Sequence, residues 1–125
     1  MPAAVSHNPK DVWTWPDSMD ALVATPDHHI LLLENEKMRV VQTRILPGQT
    51  VPVHTHGLGG VLFIQSWSDL IRRDQHGNVL LDTRQNLDKP ELNTPLWQDP
   101  LPPHTVENVG GAEFIGVQVE IKDAP

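Results

Sequence analysis

Two histidines one residue apart, His54 and His56, close the segment Gly48-Gln-Thr-Val-Pro-Val-His-Thr-His, and a third, His104, stands four residues before Asn108. In an extended strand, residues i and i+2 project from the same face. The two imidazoles therefore sit side by side and can reach one cation at about 2.0–2.1 Å. Three neutral imidazoles suit a divalent metal, with iron, zinc, nickel and manganese as candidates and copper also compatible with this donor type. The rest of the composition leaves little competing chemistry. The chain has no cysteine and no tyrosine, which excludes thiolate ligands, disulfides, cysteine nucleophiles and phenolic acid–base catalysis. It has no glycine-rich phosphate loop and no Gly-x-Ser-x-Gly.

The elements that must position these histidines are short strands. Twelve prolines and eight glycines in 125 residues punctuate the chain at close intervals, favouring many strands over long helices. His29–Leu33 and Met38–Leu46 are expected to pair across the polar turn at 34–37. Gln49–His56 alternates, with Val51, Val53 and Thr55 on one face and His54 and His56 on the other. A strand from Val61 through Trp67 is expected to continue to Ile71, with Val79–Asp82 returning across the turn Asp74–Asn78. A short strand at Leu96-Trp97 and a final hairpin, His104–Asn108 and Glu113–Lys122, complete eight to ten antiparallel strands. This is an all-β jelly roll or small barrel. Residues 1–27 read as an N-terminal arm bearing Trp13 and Trp15 and a short helical turn over Asp17–Ala24, capped by Asp17 or Ser18. Residues 28–125 read as the barrel.

Other residues have both a functional and an ordinary reading. Val61, Phe63, Gln65 and Trp67 share one strand face. If that face looks inward, Gln65 and Trp67 approach the pocket, although Trp67 is more simply a core residue. On the last strand, either the apolar set (Ile115, Val117, Val119, Ile121) faces the core, or Gln118 lines the pocket; the first is the more ordinary arrangement. His28, His29 and His76 read as solvated, and His7 lies in the arm. Arg72, Arg73 and Arg84 read as surface charge, with binding of an acidic substrate as the alternative.

These motifs resemble those of the cupin superfamily. Its first motif has glycine, five residues, then His-x-His, matched by Gly48, His54 and His56. Its second ends in histidine, three residues and asparagine, matched by His104 and Asn108. The resemblance covers residues 28–122 and implies a double-stranded β-helix with His54, His56 and His104 as metal ligands. It also brings two departures. The glutamate that completes many cupin sites falls where Gly60 and Val61 stand, and Asp99-Pro-Leu-Pro-Pro103 replaces the Pro-x-Gly of the second motif. Some members of the superfamily, thiol dioxygenases among them, hold Fe(II) with three histidines alone. The resemblance therefore implies a three-histidine pocket supporting oxygenase- or isomerase-type chemistry on a small organic molecule. The alternative is a non-catalytic ligand-binding or accessory cupin with a degenerate site.

A net charge of −7 opposes nucleic-acid and anionic-membrane partners. No apolar run is long enough for a membrane span and no signal peptide is visible, so a cytoplasmic protein is expected. The tryptophan arm and the apolar strand at 30–33 are expected to bury surface in a homodimer.

Overall fold

A computed structural model describes residues 13–85 and 88–122. The expected all-β architecture is present. Nine strands form among the described residues: β1 His29–Glu34, β2 Met38–Ile45, β3 Thr50–His56, β4 Gly60–Ser66, β5 Leu70–Asp74, β6 Val79–Asp82, β7 Leu96–Gln98, β8 Leu101–Asn108 and β9 Phe114–Ile121. They build a five-stranded sheet, ordered β1-β2-β9-β4-β7, and a four-stranded sheet, ordered β3-β8-β5-β6. Every strand pair is antiparallel. No helix among the described residues is long and apolar enough to cross a membrane.

The helical turn lies over Asp17–Ala24 but is divided into a 3₁₀ turn, Asp17–Met19, and α1, Ala21–Ala24. Its cap is Asp20, not Asp17 or Ser18: the Asp20 carboxylate accepts from the Leu22 N–H at 3.0 Å. Asp20 also bridges to Thr55 on β3, which buries Thr55 on the side of β3 away from the pocket. The Trp13 indole lies over Gly57, 3.4 Å from where a Cβ would stand. His7 and the rest of residues 1–12 lie outside the described residues.

The expected continuous strand through Ile71 is broken at residues 67–69, where the chain crosses from one sheet to the other. Asn108 holds this crossing together. Only 1 % exposed, it accepts from the Ser68 hydroxyl at 2.7 Å and the Gly110 N–H at 3.0 Å, and donates to the carbonyls of Ile45 at 2.8 Å and Ala112 at 2.9 Å. Beside it lies the apolar core, formed by Ile45, Val51, Ile64 and Phe114 with Leu62, Trp67, Leu70, Leu96 and Val106 packed around them. The core fills one end of the space between the sheets and leaves the other to polar side chains.

Asn108 thus belongs to the scaffold. Asn108→Ala strands two buried carbonyls and two donors, so a loss of about 2–4 kcal/mol is expected in urea denaturation, with metal affinity of the folded protein unchanged.

Candidate metal centre

Four imidazoles meet in one pocket: His29, His54, His56 and His104, all 6 % exposed or less. His54 and His104 face each other directly across β3 and β8, with ring centroids 4.3 Å apart. His56 lies 5.1 Å from His54 and 5.7 Å from His104. His29, expected to be solvated, is buried against both members of the His-x-His pair, at 4.9 and 5.2 Å. Ligating nitrogens of His29, His54 and His56 lie within 4.8 Å of one another.

A bulge explains how His29 entered the site. A regular hairpin running back from the pair Glu34–Arg39 would set His29 opposite Arg44, on the outer face. The register instead shifts between Leu31 and Leu33, and His29 pairs with Thr43. Thr43 lies two residues from each of the buried Val41 and Ile45, on the inward face. Alternation within the sequence carries no mark of that extra residue. A second irregularity, between Val51 and His54, brings Val51 onto the pocket wall beside the histidines, contrary to the expected alternation.

The histidines share one hydrogen-bonding pattern. Nδ1 of His54 lies 2.7 Å from the Pro52 carbonyl, and Nδ1 of His104 lies 2.7 Å from the Pro102 carbonyl. Nδ1 of His29 approaches the Thr25 carbonyl at 3.2 Å and the Thr25 hydroxyl at 2.9 Å. That hydroxyl donates its proton to the Ala21 carbonyl at 2.9 Å and so accepts from His29. Nδ1 of His56 faces the Glu120 carboxylate at 3.3 Å. Each Nδ1 meets an acceptor and therefore carries the proton. On the neutral rings of His29, His54 and His104 this leaves Nε2 as a lone pair, the tautomer a metal requires.

Electrostatics hold three of the rings neutral. Burial, reinforced by the neighbouring imidazoles, lowers His29 and His104 to about 2 and His54 to about 4. The charge of Arg72 adds a smaller push in the same direction on His54 and His104.

The missing cupin carboxylate returns in a different role. Glu120 on β9 pairs directly with Gly60, and a Cβ on Gly60 would stand 1.8 Å from the Val119 carbonyl, so no longer side chain fits there. Glu120 is fully buried and held by Arg39, whose guanidinium also donates to Asp20 at 2.6 Å. Its contact is with Nδ1 of His56, so it orients that imidazole.

β9 turns its polar residues inward. Gly116, Gln118 and Glu120 are buried, while Val117 and Val119 are only half-buried and Ile121 is exposed. The more ordinary reading of this strand is therefore overturned, and Gln118 lines the pocket. The face of β4 is also the reverse of that expected. Gly60 and Ile64 are buried and Leu62 reaches the pocket, whereas Gln65 is exposed. Trp67 packs edge-on against Phe114, with centroids 6.2 Å apart, beneath the Lys89 ammonium. Gln65 and Trp67 are thus removed from the pocket candidates. His28 is half-buried and its Nδ1 lies 3.1 Å from the Arg44 carbonyl; His76 sits in the exposed turn after Asp74. Arg73 pairs with Glu107 and Arg84 with Asp82. Arg72 instead lines the pocket.

Two antiparallel sheets with this topology, enclosing His54, His56 and His104 between them, decide the architecture. The fold is that of a cupin. Solved structures agree. A cupin domain from Bordetella pertussis superposes with a TM-score of 0.61 at 22 % identity, covering 76 % of this chain and 92 % of that one. An uncharacterised conserved protein with a double-stranded β-helix domain from Klebsiella pneumoniae gives 0.51 at 20 % identity, covering 97 % and 89 %. An RmlC-like cupin family protein from Methanocaldococcus jannaschii gives 0.51 at 9 % identity, covering 74 % and 79 %. No protein-family model matches the sequence, and no curated protein matches it. The shared feature is the cupin fold, and activity has to be argued from this site.

The lowered histidines set the pH dependence of the metal-free protein. Unfolding lets them take up protons below their ordinary value of about 6.5, so stability is greatest above it and falls as pH drops. The slope approaches roughly 1.4 kcal/mol per pH unit for each of the three. Most carboxylates titrate below this window, so melting temperature is expected to fall steadily between pH 7 and pH 5. A flat profile would contradict the neutral, buried assignment.

Proposed function

We propose that this cupin holds a divalent metal through His29, His54 and His56, with His104 as the fourth imidazole beside it, and acts on a small organic molecule bound at the positions left open. One observation carries the reading: nitrogens of His29, His54 and His56 lie within 4.8 Å of one another while each Nδ1 faces an acceptor, so the remaining nitrogens converge with no proton to offer one another. A cation relieves that repulsion. The donor set fits iron, zinc, nickel or manganese, nitrogen-rich sites favouring the first three. The bound metal would supply Lewis acidity, or redox capacity if it is iron, consistent with oxygenase- or isomerase-type chemistry.

The chain's own residues do the positioning. Glu120 and the backbone carbonyls of Thr25, Pro52 and Pro102 fix the imidazole tautomers and planes. Ile45, Val51, Leu62 and Phe114 form an apolar wall that limits water. The pocket, about 80 Å³, accepts a compact ligand.

Protein purified without a polyhistidine tag is expected to carry near-stoichiometric metal by elemental analysis, or to take it up on titration. Alanine at His29, His54 or His56 should weaken that uptake by about 100-fold or more, since each removes one ligand of a small nitrogen set. Absence of any uptake by the wild type would sink the metal reading. Uptake without any metal-dependent turnover would favour the non-catalytic alternative.

We further propose that the partner on the five-stranded sheet is a second copy of the chain. β1 is an edge strand with Ile30, Leu31, Leu32 and Leu33 all exposed, an arrangement that soluble sheets leave uncovered only at the risk of aggregation. The outer face continues it through the registered row Leu33–Val40–Val119–Val61–Trp97. Antiparallel pairing of β1 with its own copy is isologous and closes as a two-fold dimer. Sedimentation is expected to give a dimer at micromolar concentration and a monomer for the double variant Leu31→Lys/Leu33→Lys; a wild-type monomer would refute the pairing.

A further inference from the structure

The chain has five arginines. Arg39, Arg44, Arg73 and Arg84 each pair with a carboxylate. Arg72 has no carboxylate partner among the described residues, and its Nε is buried without a hydrogen bond. It rises from β5 opposite Val106 of β8, on the same sheet as His54 and His104, and it lines the histidine pocket. Desolvation lowers its pKa, yet a guanidinium stays protonated at neutral pH. Among the described residues, no carboxylate compensates this half-buried positive charge beside the site.

A second unmet group lies in the same pocket. The Nε2 amide of Gln118, on the opposite sheet, is buried without an acceptor. Both unsatisfied atoms are N–H donors. The wall thus offers lone pairs on the histidines and unmatched donors on Arg72 and Gln118. Its own side chains supply no acidic acceptor for these donors, because Glu120 is already held by Arg39 and turned to Nδ1 of His56.

We propose that the ligand of this cupin is a small carboxylate, its oxygens received by Arg72 and Gln118 while the rest of the molecule reaches toward the histidines. A planar carboxylate matches the guanidinium fork and neutralises its charge. An uncharged analogue leaves both donors unmet, so discrimination against amides and alcohols of the same size is strong. The proposal rests on reading this pocket as the ligand site, and its test separates the two.

Calorimetry in carboxylate-free buffer, on metal-free and zinc-loaded protein, would compare acetate, glycolate and butanoate with acetamide, glycolamide and butanamide, and with inorganic phosphate and sulfate. Binding of at least one carboxylate at least tenfold tighter than its amide is expected, with Arg72→Met abolishing the preference and Arg72→Lys reducing it. Arg72→Met is also expected to melt at a higher temperature than the wild type without ligand, because a half-buried charge with an unmet Nε has been replaced by an apolar side chain. This gain would not arise if Arg72 were a structural ion-pair partner. The inference is overturned if no carboxylate binds below 10 mM, if amides bind equally well, if phosphate or sulfate binds tighter than every carboxylate, or if Arg72→Met keeps the preference. Zinc uptake measured on the same samples keeps the readings apart. Carboxylate selectivity without zinc uptake removes the metal and leaves this proposal standing; zinc uptake without selectivity does the reverse.

Discussion

Glu120 is fully buried, and a carboxylate cannot remain charged there without compensation. Arg39 provides it from β2, and Asp20 in turn holds Arg39. The chain Asp20–Arg39–Glu120–His56 therefore joins the N-terminal helical turn, two neighbouring strands of one sheet and the His-x-His strand of the other. It fixes where β9 must place its polar residues and which way the His56 ring turns. Removing either end of the central pair would leave a buried charge, which is why the rest of this end of the barrel is arranged around it.

The interior is consequently divided. Around Asn108 it is an ordinary apolar core, in which Ile45, Val51, Ile64 and Phe114 exclude water and the asparagine satisfies the backbone at a crossing between sheets. At the other end the same two sheets enclose four imidazoles, a glutamine and an arginine. Burying so many polar groups is unfavourable by itself. The cost is reduced by the Nδ1 hydrogen bonds and by keeping three of the rings neutral. What those interactions leave unmet, the Nε2 lone pairs and the two stranded N–H donors, defines the chemistry the pocket can receive.

The fold was legible because it depends on short-range features. Proline and glycine spacing, the polar turns at 34–37 and 74–78, and the His-x-His alternation are local properties of the chain, and they predicted the strands closely apart from the break at residues 67–69. His54, His56 and His104 were legible for the same reason. His29 was not, because its inward aim comes from one bulged residue in β1, and adding or omitting such a residue changes every side chain beyond it from one face to the other.

The sequence by itself thus determined the all-β architecture, the absence of thiol and phenol groups and three of the four imidazoles, since composition and period-two spacing need no distant partner. Only the tertiary structure decided which faces of β4 and β9 look inward, that His29 joins the site, that Glu120 supports His56 from the strand beside Gly60, and that Arg72 stands without a carboxylate among the described residues. Each of these depends on register between strands far apart in the chain. Register is set by packing and by compensation of buried charge across the whole barrel, which no local pattern encodes.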